Sequence, residues 1–172
     1  MTQPILKLEG IEKSFGRNNV LRGIDLDVAP GQSLVVIGGS GSGKSVMLKV
    51  ALGLMTPTAG KVLFDGHDVT NSTGKTRESM RARVGMLFQA GALFDSLTVW
   101  ENVAFRLINA DGVKRSQAKE RAIETLKKVR LGSEVAGLYP AEISGGMQKR
   151  VSLARSIISE PDLIFFDEPT TG

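Results

Sequence analysis

Cysteine is absent from this chain of 172 residues. The chain therefore contains no disulfide and no thiolate metal site, which agrees with a reducing compartment. No apolar run approaches the ~18 residues that a membrane-spanning helix requires. The first residues also lack a basic stretch followed by an apolar core, so we expect no secretory signal. Any role at a membrane would therefore depend on a partner protein.

The chain also carries little net charge. The 22 Lys and Arg residues exceed the 18 Asp and Glu residues by only four, and much of the excess lies in residues 75–83 and 114–130. Such stretches either face anionic lipid or nucleic acid or form ordinary solvated helix faces, and composition leaves both readings open. The 41% hydrophobic content suits one globular domain with a core.

Glycine is abundant, and the glycine-rich residues 38–45 are the most informative stretch of the chain. Their sequence fits G-x-x-x-x-G-K-[ST], the phosphate-binding loop, and consists of Gly38, Gly39, Ser40, Gly41, Ser42, Gly43, Lys44 and Ser45. The apolar run 33–37 predicts a buried parallel strand before the loop, and apolar spacing predicts a helix over residues 45–54. Backbone N–H groups and the helix start would then receive an anion, Lys44 would neutralise β/γ-phosphate charge, and Ser45 would ligate Mg²⁺. The stretch predicts binding of a nucleoside triphosphate.

A second chemical motif follows the apolar run 163–166, which predicts a buried strand ending in two carboxylates. In a protein with a phosphate loop, Asp167 is expected to hold Mg²⁺ at the nucleotide. Because successive strand residues point to opposite faces, Glu168 would address a different point, the attacking water. A bound cation explains why two adjacent carboxylates stand beside an apolar strand.

A second glycine-led helix start lies at residues 144–148, Ser-Gly-Gly-Met-Gln. Its N–H groups would suit another phosphate, although its spacing alone also fits an ordinary capped helix. Since the chain has one phosphate loop, a second anion site needs a different nucleotide. The economical arrangement is a head-to-tail pair of chains, in which the helix start at Ser144 covers the ATP held by the other copy.

The remaining patterns predict an α/β chain with strand-rich flanks and a helical middle. Strands are predicted at residues 5–8, ending at Gly10, and at 24–28, 61–64 and 83–88. A polar stretch leading into a short helix is predicted over 71–81. Further helices are predicted from Thr98 to about 108, where Thr98 and Glu101 form a capping box, over 116–129, and from 144 to before Pro161.

Four motifs, taken in their order and spacing, resemble those of ABC transporter ATPases. They are the loop at 38–45, Gln89 after a strand, the signature-like Ile-Ser-Gly-Gly-Met-Gln at 143–148, and Leu-Ile-Phe-Phe-Asp-Glu-Pro at 163–169. The resemblance implies one ATPase domain over residues 1–172 with a P-loop NTPase α/β core, N-terminal antiparallel β strands and an inserted helical subdomain. The core would comprise residues 1–89 and 155–172, and the subdomain residues 90–154.

The same resemblance implies the cofactors and several roles. ATP and Mg²⁺ would be bound, Phe15 would stack on adenine, and Gln89 would sense Mg²⁺ and couple to the membrane subunit. Glu168, Lys44 and Gln89 would serve catalysis, and Ser45, Gln89 and Asp167 would serve the metal. The signature segment would face the γ-phosphate across a homodimer, with contacts from Ser144 and Gly146 and with Gly145 and Gln148 beside them.

Residues 88–103, together with Ser45-Val46-Met47, resemble the MlaF group of Mla- and Mce-type phospholipid-transport ATPases. That likeness implies an integral membrane permease, indirectly a periplasmic lipid-binding subunit, and a place on the cytoplasmic face of the bacterial inner membrane. No nucleic-acid partner is expected. Other transport substrates, or a non-transport ABC ATPase acting on DNA or the ribosome, are the alternatives. A small-molecule kinase is disfavoured because it would leave residues 144–148 without a purpose.

Two features depart from the family pattern. Met147 precedes Gln148, so the signature reads Ser-Gly-Gly-Met-Gln rather than Ser-Gly-Gly-Gln, a change expected to be tolerated because the phosphate-facing Ser and Gly residues stand. The residues after Asp167-Glu168-Pro169 do not include the family's D-loop, following strand and switch histidine. The sequence is therefore expected to be a fragment that lacks the C-terminal part of the core, binds nucleotide and hydrolyses ATP poorly.

Overall fold

The computed structural model describes residues 3–87 and 92–166. The chain forms two compact units, Met1–Ala82 and Arg83–Gly172. This division falls elsewhere than the expected boundaries at residues 89 and 155, and the expected core and subdomain limits remain predictions. No helix within the described part of the chain is long and apolar enough to cross a membrane.

The first unit is built on an antiparallel sheet in the order β2-β1-β3-β4. Its apolar side chains alternate along the strands, so one sheet face forms a core that includes Leu6, Leu8, Ile11 and Val62, each at most 2% exposed. Two short helices complete the unit. The elements are β1 (Leu6–Phe15), β2 (Asn18–Val28), α1 (Lys44–Ala51), β3 (Ala59–Phe64), β4 (His67–Asp68) and α2 (Gly74–Ala82).

The sequence predicted that the first strand ends at Gly10, but in the structure it does not. β1 continues to Phe15, with a register shift between Leu8 and Ile11, and Gly10 adopts a φ of +54°. Its N–H donates to Asp25 Oδ1 at 2.7 Å. A Cβ added to Gly60 would lie 2.4 Å from the Gly10 carbonyl oxygen. The glycine therefore marks a β-bulge over which β3 passes at close range, rather than a turn.

The predicted buried strand at residues 33–37 is wrong for the structure described. Residues 32–39 form no regular element, and Val35 and Ile37 are 77% and 92% exposed. An apolar run indicates that a strand could be buried if other elements covered both faces of its sheet. It does not indicate which strand would pair with it by hydrogen bonds. Within the described residues no strand of the antiparallel sheet pairs with this run.

The second unit combines three helices with a two-stranded parallel sheet. β5 pairs with β6 from Val84↔Leu163 to Leu87↔Phe166. A Cβ added to Gly85 would lie 2.5 Å from the Ser156 carbonyl oxygen, so a glycine allows β5 to pack directly on the last helix. The elements are β5 (Val84–Leu87), α3 (Val99–Asn109), α4 (Arg115–Lys128), α5 (Gly145–Ile157) and β6 (Leu163–Phe166), with 3₁₀ turns at Ser133–Val135 and Pro140–Glu142.

The core of this unit lies between the three helices. Val99, Val103, Leu126 and Val151 are completely buried and their neighbours nearly so, at the helical spacing that the sequence showed. The predicted capping box is confirmed at the start of α3, where Glu101 Oε2 accepts hydrogen bonds from the Thr98 N–H at 2.8 Å and from its hydroxyl at 2.6 Å. The predicted strands at 83–88 and 163–166 and the helices from 98, 116 and 144 are confirmed within one or two residues at their described ends.

Candidate functional site

The glycine-rich loop takes the curled conformation that its sequence predicts. Gly41 and Gly43 have φ values of +77° and +95°, which L side chains adopt at a cost of about 1–2 kcal/mol. The Ser42 N–H donates to the Gly39 carbonyl at 3.2 Å, closing a turn. A Cβ added to Gly38 would lie 2.6 Å from Ser42 Oγ. The left-handed backbone therefore favours glycine at Gly41 and Gly43, whereas at Gly38 the Ser42 side chain would have to move to admit a Cβ.

The loop rests on β2 and leads directly into α1. A Cβ added to Gly43 would lie 3.0 Å from Leu21 Cδ2 and 3.1 Å from Val20 Cγ1, so the end of the loop packs closely against that strand. The first turn of α1 contains no acidic residue, which leaves the positive end of the helix dipole without a carboxylate from that turn. Ser45 lies exposed in the same turn. Backbone N–H groups, a helix start and a hydroxyl therefore occupy one exposed edge.

Lys44 holds its charge within the loop. Its Nζ donates to the Gly38 carbonyl at 2.6 Å and to the Gly39 carbonyl at 3.0 Å. An ammonium has three donors, so these two bonds leave one for another acceptor. The two carbonyls fix the direction in which the positive charge is presented without neutralising it with a carboxylate. This donor set fits the phosphate groups of a nucleotide.

The second glycine-led helix start also forms, at α5. Ser144 is the N-cap residue, and its hydroxyl accepts a hydrogen bond from the Met147 N–H at 3.3 Å. Added Cβ atoms on Gly145 and Gly146 would meet nothing within 4 Å, and neither glycine has a positive φ. Nothing in the described chain therefore requires glycine at these two exposed positions. The open space would let a ligand approach the backbone of α5, and the predicted contact with a phosphate there remains a prediction.

Gln148 plays a structural part in this helix start. Its Nε2 donates to the Pro140 carbonyl at 2.8 Å, which ties the first turn of α5 to the 3₁₀ turn before it. The side chain is partly buried. This contact positions the helix start, and a direct contact of Gln148 with nucleotide remains a prediction.

Phe15 ends β1 beside the turn to β2. Its ring is 48% exposed, and Lys13 Nζ lies 5.3 Å from the ring centroid. An exposed aromatic face in this position suits stacking on a flat ligand, and its role with adenine remains a prediction.

Three predicted site residues lie outside the described residues: Gln89, Asp167 and Glu168. The structure describes the strands that precede them, β5 and β6, which are parallel neighbours with Leu87 opposite Phe166. Within residues 3–87 and 92–166, no cluster of three His, Cys, Asp or Glu side chains is arranged to hold a metal. Of the residues predicted to bind Mg²⁺, Ser45 is the one within the described ranges, and its role with the metal remains a prediction.

Two residues around the segment 92–98 escaped the sequence analysis. Asn102 of α3 is completely buried. Its Oδ1 accepts the Phe94 N–H at 2.7 Å, and its Nδ2 donates to the carbonyls of Phe94, Leu97 and Thr98 at 3.0–3.1 Å. Arg155 of α5 donates from Nη1 to the Ala92 carbonyl at 2.9 Å. The sequence did contain a signal for both residues, because Asn102 and Arg155 place an amide and a guanidinium on the apolar faces of α3 and α5.

The comparison with known families agrees with this arrangement. The family described as "ABC transporter" matches residues 21–171, from β2 to beyond β6. The chain belongs to the ABC transporter family. Two curated relatives are 40% identical over 167 residues each: the probable ribonucleotide transport ATP-binding protein mkl of Mycobacterium leprae, with 97% of this chain covered, and the sulfate/thiosulfate import ATP-binding protein CysA of Caulobacter vibrioides, with 95% covered.

Solved ABC cassettes share the fold. A dimeric post-hydrolysis structure of the ATP-binding cassette MJ0796, bound to ADP and Pi, matches with a TM-score of 0.84 and 32% identity over 96% of this chain and 74% of that one. The expected α/β P-loop class with N-terminal antiparallel strands and a helical insertion is thereby confirmed. The chain spans about half the length of the curated relatives, 48% for both proteins named above.

Proposed function

We propose that this ABC domain binds and hydrolyses ATP with Mg²⁺ and acts as the motor of a transporter. The observation that carries the proposal is the phosphate loop, in which Lys44 is held on two loop carbonyls beside an exposed helix start. Its neighbours in the family support the same conclusion, since the MJ0796 cassette was solved with ADP and Pi.

The residues divide the chemistry among them. Loop N–H groups and the start of α1 orient the β- and γ-phosphates, and Lys44 neutralises the charge that develops on them. Ser45 and Asp167 would hold Mg²⁺, which supplies further neutralisation when bound. Glu168 orients the attacking water, and Gln89 connects the site with the permease. Phe15 offers its exposed face to adenine. Catalysis is then positioning together with electrostatic stabilisation.

The signature segment completes the site from another copy of the chain. Gly145 and Gly146 have open space where side chains would stand, which lets the phosphates of a nucleotide approach the backbone of α5. The Ser144 hydroxyl holds its own cap by one long bond of 3.3 Å and is exposed to such a ligand. The proposed assembly is a head-to-tail dimer with two nucleotides between the copies, as the dimeric state of the MJ0796 cassette also suggests.

We further propose that the motor serves phospholipid transport. This refinement depends on residues 88–103, which resemble the MlaF group, whereas the relatives named above are described with ribonucleotide and sulfate/thiosulfate transport. The partners would be a membrane permease, which would hold the motor at the cytoplasmic face of the inner membrane, and indirectly a periplasmic lipid-binding subunit. The test is to measure the ATPase rate of the reconstituted complex. Phospholipid, but not soluble anions, should stimulate it, and stimulation by soluble anions but not by phospholipid would overturn the lipid assignment.

The basic helix α4 gives little support to a nucleic-acid partner. Arg115 forms an ion pair with Glu101 and lies 4.9 Å from the Trp100 ring centroid. Arg121 donates to the Ile158 carbonyl at 3.3 Å. Since part of the positive charge is engaged within the unit, the alternative of a DNA- or ribosome-directed ATPase is less favoured.

The motor function is tested in the full-length protein by two substitutions and a control. Lys44→Ala should weaken ATP binding and lower turnover at least about 100-fold, and Glu168→Gln should lower turnover by a similar factor while an ATP-bound dimer accumulates. Lys49→Ala is the matched control, because Lys49 is an exposed lysine in the last turn of α1. Wild-type turnover in Glu168→Gln, or unchanged ATP affinity in Lys44→Ala, would contradict the assignment.

A further inference from the structure

Arg155 stands out on the helix that begins at Ser144. It lies eleven residues after Ser144 on α5, which places it roughly 16 Å along the helix axis. An α-helix of this length moves as one piece, so a displacement at its start is carried to Arg155. Movement of the signature segment would therefore also displace the guanidinium of Arg155 and the residues that it contacts.

The contacts of Arg155 join α5 to the segment 92–98. Besides the bond from Nη1 to the Ala92 carbonyl at 2.9 Å, the guanidinium carbon lies 5.6 Å from the centroid of the Phe94 ring. Ala92 has a φ of +44°, unusual for a residue with a side chain. Both contacts fall on a stretch that begins three positions after Gln89.

The charge of Arg155 makes these contacts costly to break. Burial lowers the pKa of its guanidinium below the ordinary value, and no carboxylate in the described ranges forms an ion pair with it. The Ala92 carbonyl and the Phe94 ring are therefore its stabilising partners there. Separating a partly buried charge from its partners costs free energy, so the residues it contacts tend to follow the guanidinium when α5 moves.

The other end of the segment is anchored to a different helix. The four hydrogen bonds of Asn102 fix Phe94, Leu97 and Thr98 to the start of α3. Arg155 of α5 thus holds the Ala92 carbonyl and contacts the Phe94 ring, whereas the backbone of Phe94 and the residues after it are held from α3. Because the two anchors belong to different helices, relative movement of α5 and α3 would reshape the segment between them.

We propose that Arg155 is a positioning residue, which makes Ala92 and the Phe94 ring follow the signature helix when Ser144 engages nucleotide. This inference rests on the proposed function, because it takes the nucleotide contact at Ser144 as its input. Arg155 itself would not contact the nucleotide. Its role would be to transmit the conformational effect of nucleotide binding to the residues that follow Gln89.

The absence of cysteine provides a direct test. In the full-length protein, with any cysteine beyond residue 172 replaced by serine, exposed Ser96 is changed to cysteine and labelled with an environment-sensitive fluorophore. The background is Glu168→Gln, so that ATP binding is read without turnover. ATP-induced fluorescence change at Ser96 is measured beside ATP-dependent dimerisation and the thermal midpoint.

Arg155→Met removes the charge and the donors but keeps an unbranched apolar stem. We expect it to reduce the ATP-induced change at Ser96 at least about twofold, the lower end of measured couplings, with dimerisation as in the parent. Arg121→Met is the matched control, because it removes another guanidinium that donates to a backbone carbonyl in the same unit, and it should leave the signal unchanged.

An undiminished signal in Arg155→Met, or an equal loss in Arg121→Met, would overturn the proposal. If Arg155→Met does not fold, Phe94→Leu replaces it, since this change removes the ring contact at a half-exposed position. Phe94→Leu should also lower the signal at least about twofold, and an unchanged signal would refute the coupling. Failure of the proposed function is distinguishable, because ATP would then produce no dimer even with Arg155 intact.

Discussion

Replacing Asn102 by Ala should strongly destabilise the second unit. Four hydrogen bonds are lost, but their consequences differ. The Phe94 carbonyl still accepts from the Leu97 N–H at 3.1 Å, and the Thr98 carbonyl still accepts from the Asn102 N–H at 2.9 Å. The Phe94 N–H and the Leu97 carbonyl lose the partner that Asn102 provides. The substitution therefore leaves two backbone groups unsatisfied, not four.

The magnitude follows from these two groups. A buried polar group left without a partner costs about 1–3 kcal/mol. Phe94 is 43% exposed, so water reaches part of this segment and the lower half of that range applies. At about 1–2 kcal/mol for each group, we expect a loss of about 2–4 kcal/mol in the free energy of unfolding, a large share of the roughly 5–15 kcal/mol typical of a domain.

The assay uses the single tryptophan of the 172 residues. Trp100 lies on α3, two residues before Asn102, and is 8% exposed, so its fluorescence reports unfolding of this unit. With a urea dependence of about 2 kcal/mol/M, the midpoint should fall by roughly 1–2 M.

The control is Asn109→Ala, which removes an exposed amide that donates to the Phe105 carbonyl at 2.8 Å. It should stay within about 0.5 kcal/mol of the parent. Equal midpoints for the two variants would refute the reasoning, because they would show that the buried hydrogen bonds of Asn102 contribute no more than an exposed one.

Two further predictions concern the capping box and the phosphate loop. Hydrogen bonds from Thr98 hold the pKa of Glu101 below its ordinary value of 4.5, so its charge stabilises the fold above that pH and the contribution is lost as pH falls through the lowered pKa. Glu101→Gln should therefore cost about 1 kcal/mol in urea unfolding at pH 7, and a difference from the parent that persists under strongly acid conditions would contradict this. Gly43→Ala should weaken ATP binding about 5- to 30-fold in a titration, because the left-handed backbone costs about 1–2 kcal/mol. Gly31→Ala, at a φ of +74° outside the loop, should leave ATP affinity unchanged, and an equal loss there would refute a local effect.

Local signals in the sequence predicted the helices well. Thr98 and Glu101 stand three residues apart before an apolar pattern, and the capping box forms at that point. Ser144 likewise caps α5, because a hydroxyl before two glycines supplies an acceptor for a free N–H. Such signals depend on atoms a few residues apart, so no knowledge of the rest of the fold is needed.

Features that depend on distant partners were harder to predict. The apolar run 33–37 requires a neighbouring strand, which its own residues do not specify. The bulge at Gly10 lies where Gly60 packs so closely that a Cβ added to Gly60 would be 2.4 Å from the Gly10 carbonyl oxygen, a contact between residues fifty positions apart. Arg155 was missed for the same reason, since its partner Ala92 lies 63 positions earlier in the chain. Asn102 was missed although its partners are close in sequence, eight residues away at Phe94.

The exposed apolar run has a practical consequence for handling the protein. Leu34, Val35, Val36 and Ile37 present 42–92% of their surface to solvent, and β-branched residues in sequence readily add to the edge of another sheet. A preparation of these 172 residues alone should therefore become turbid in proportion to its concentration. A charged residue at Ile37, the most exposed of the four, would be the first change to try for keeping such a sample in solution.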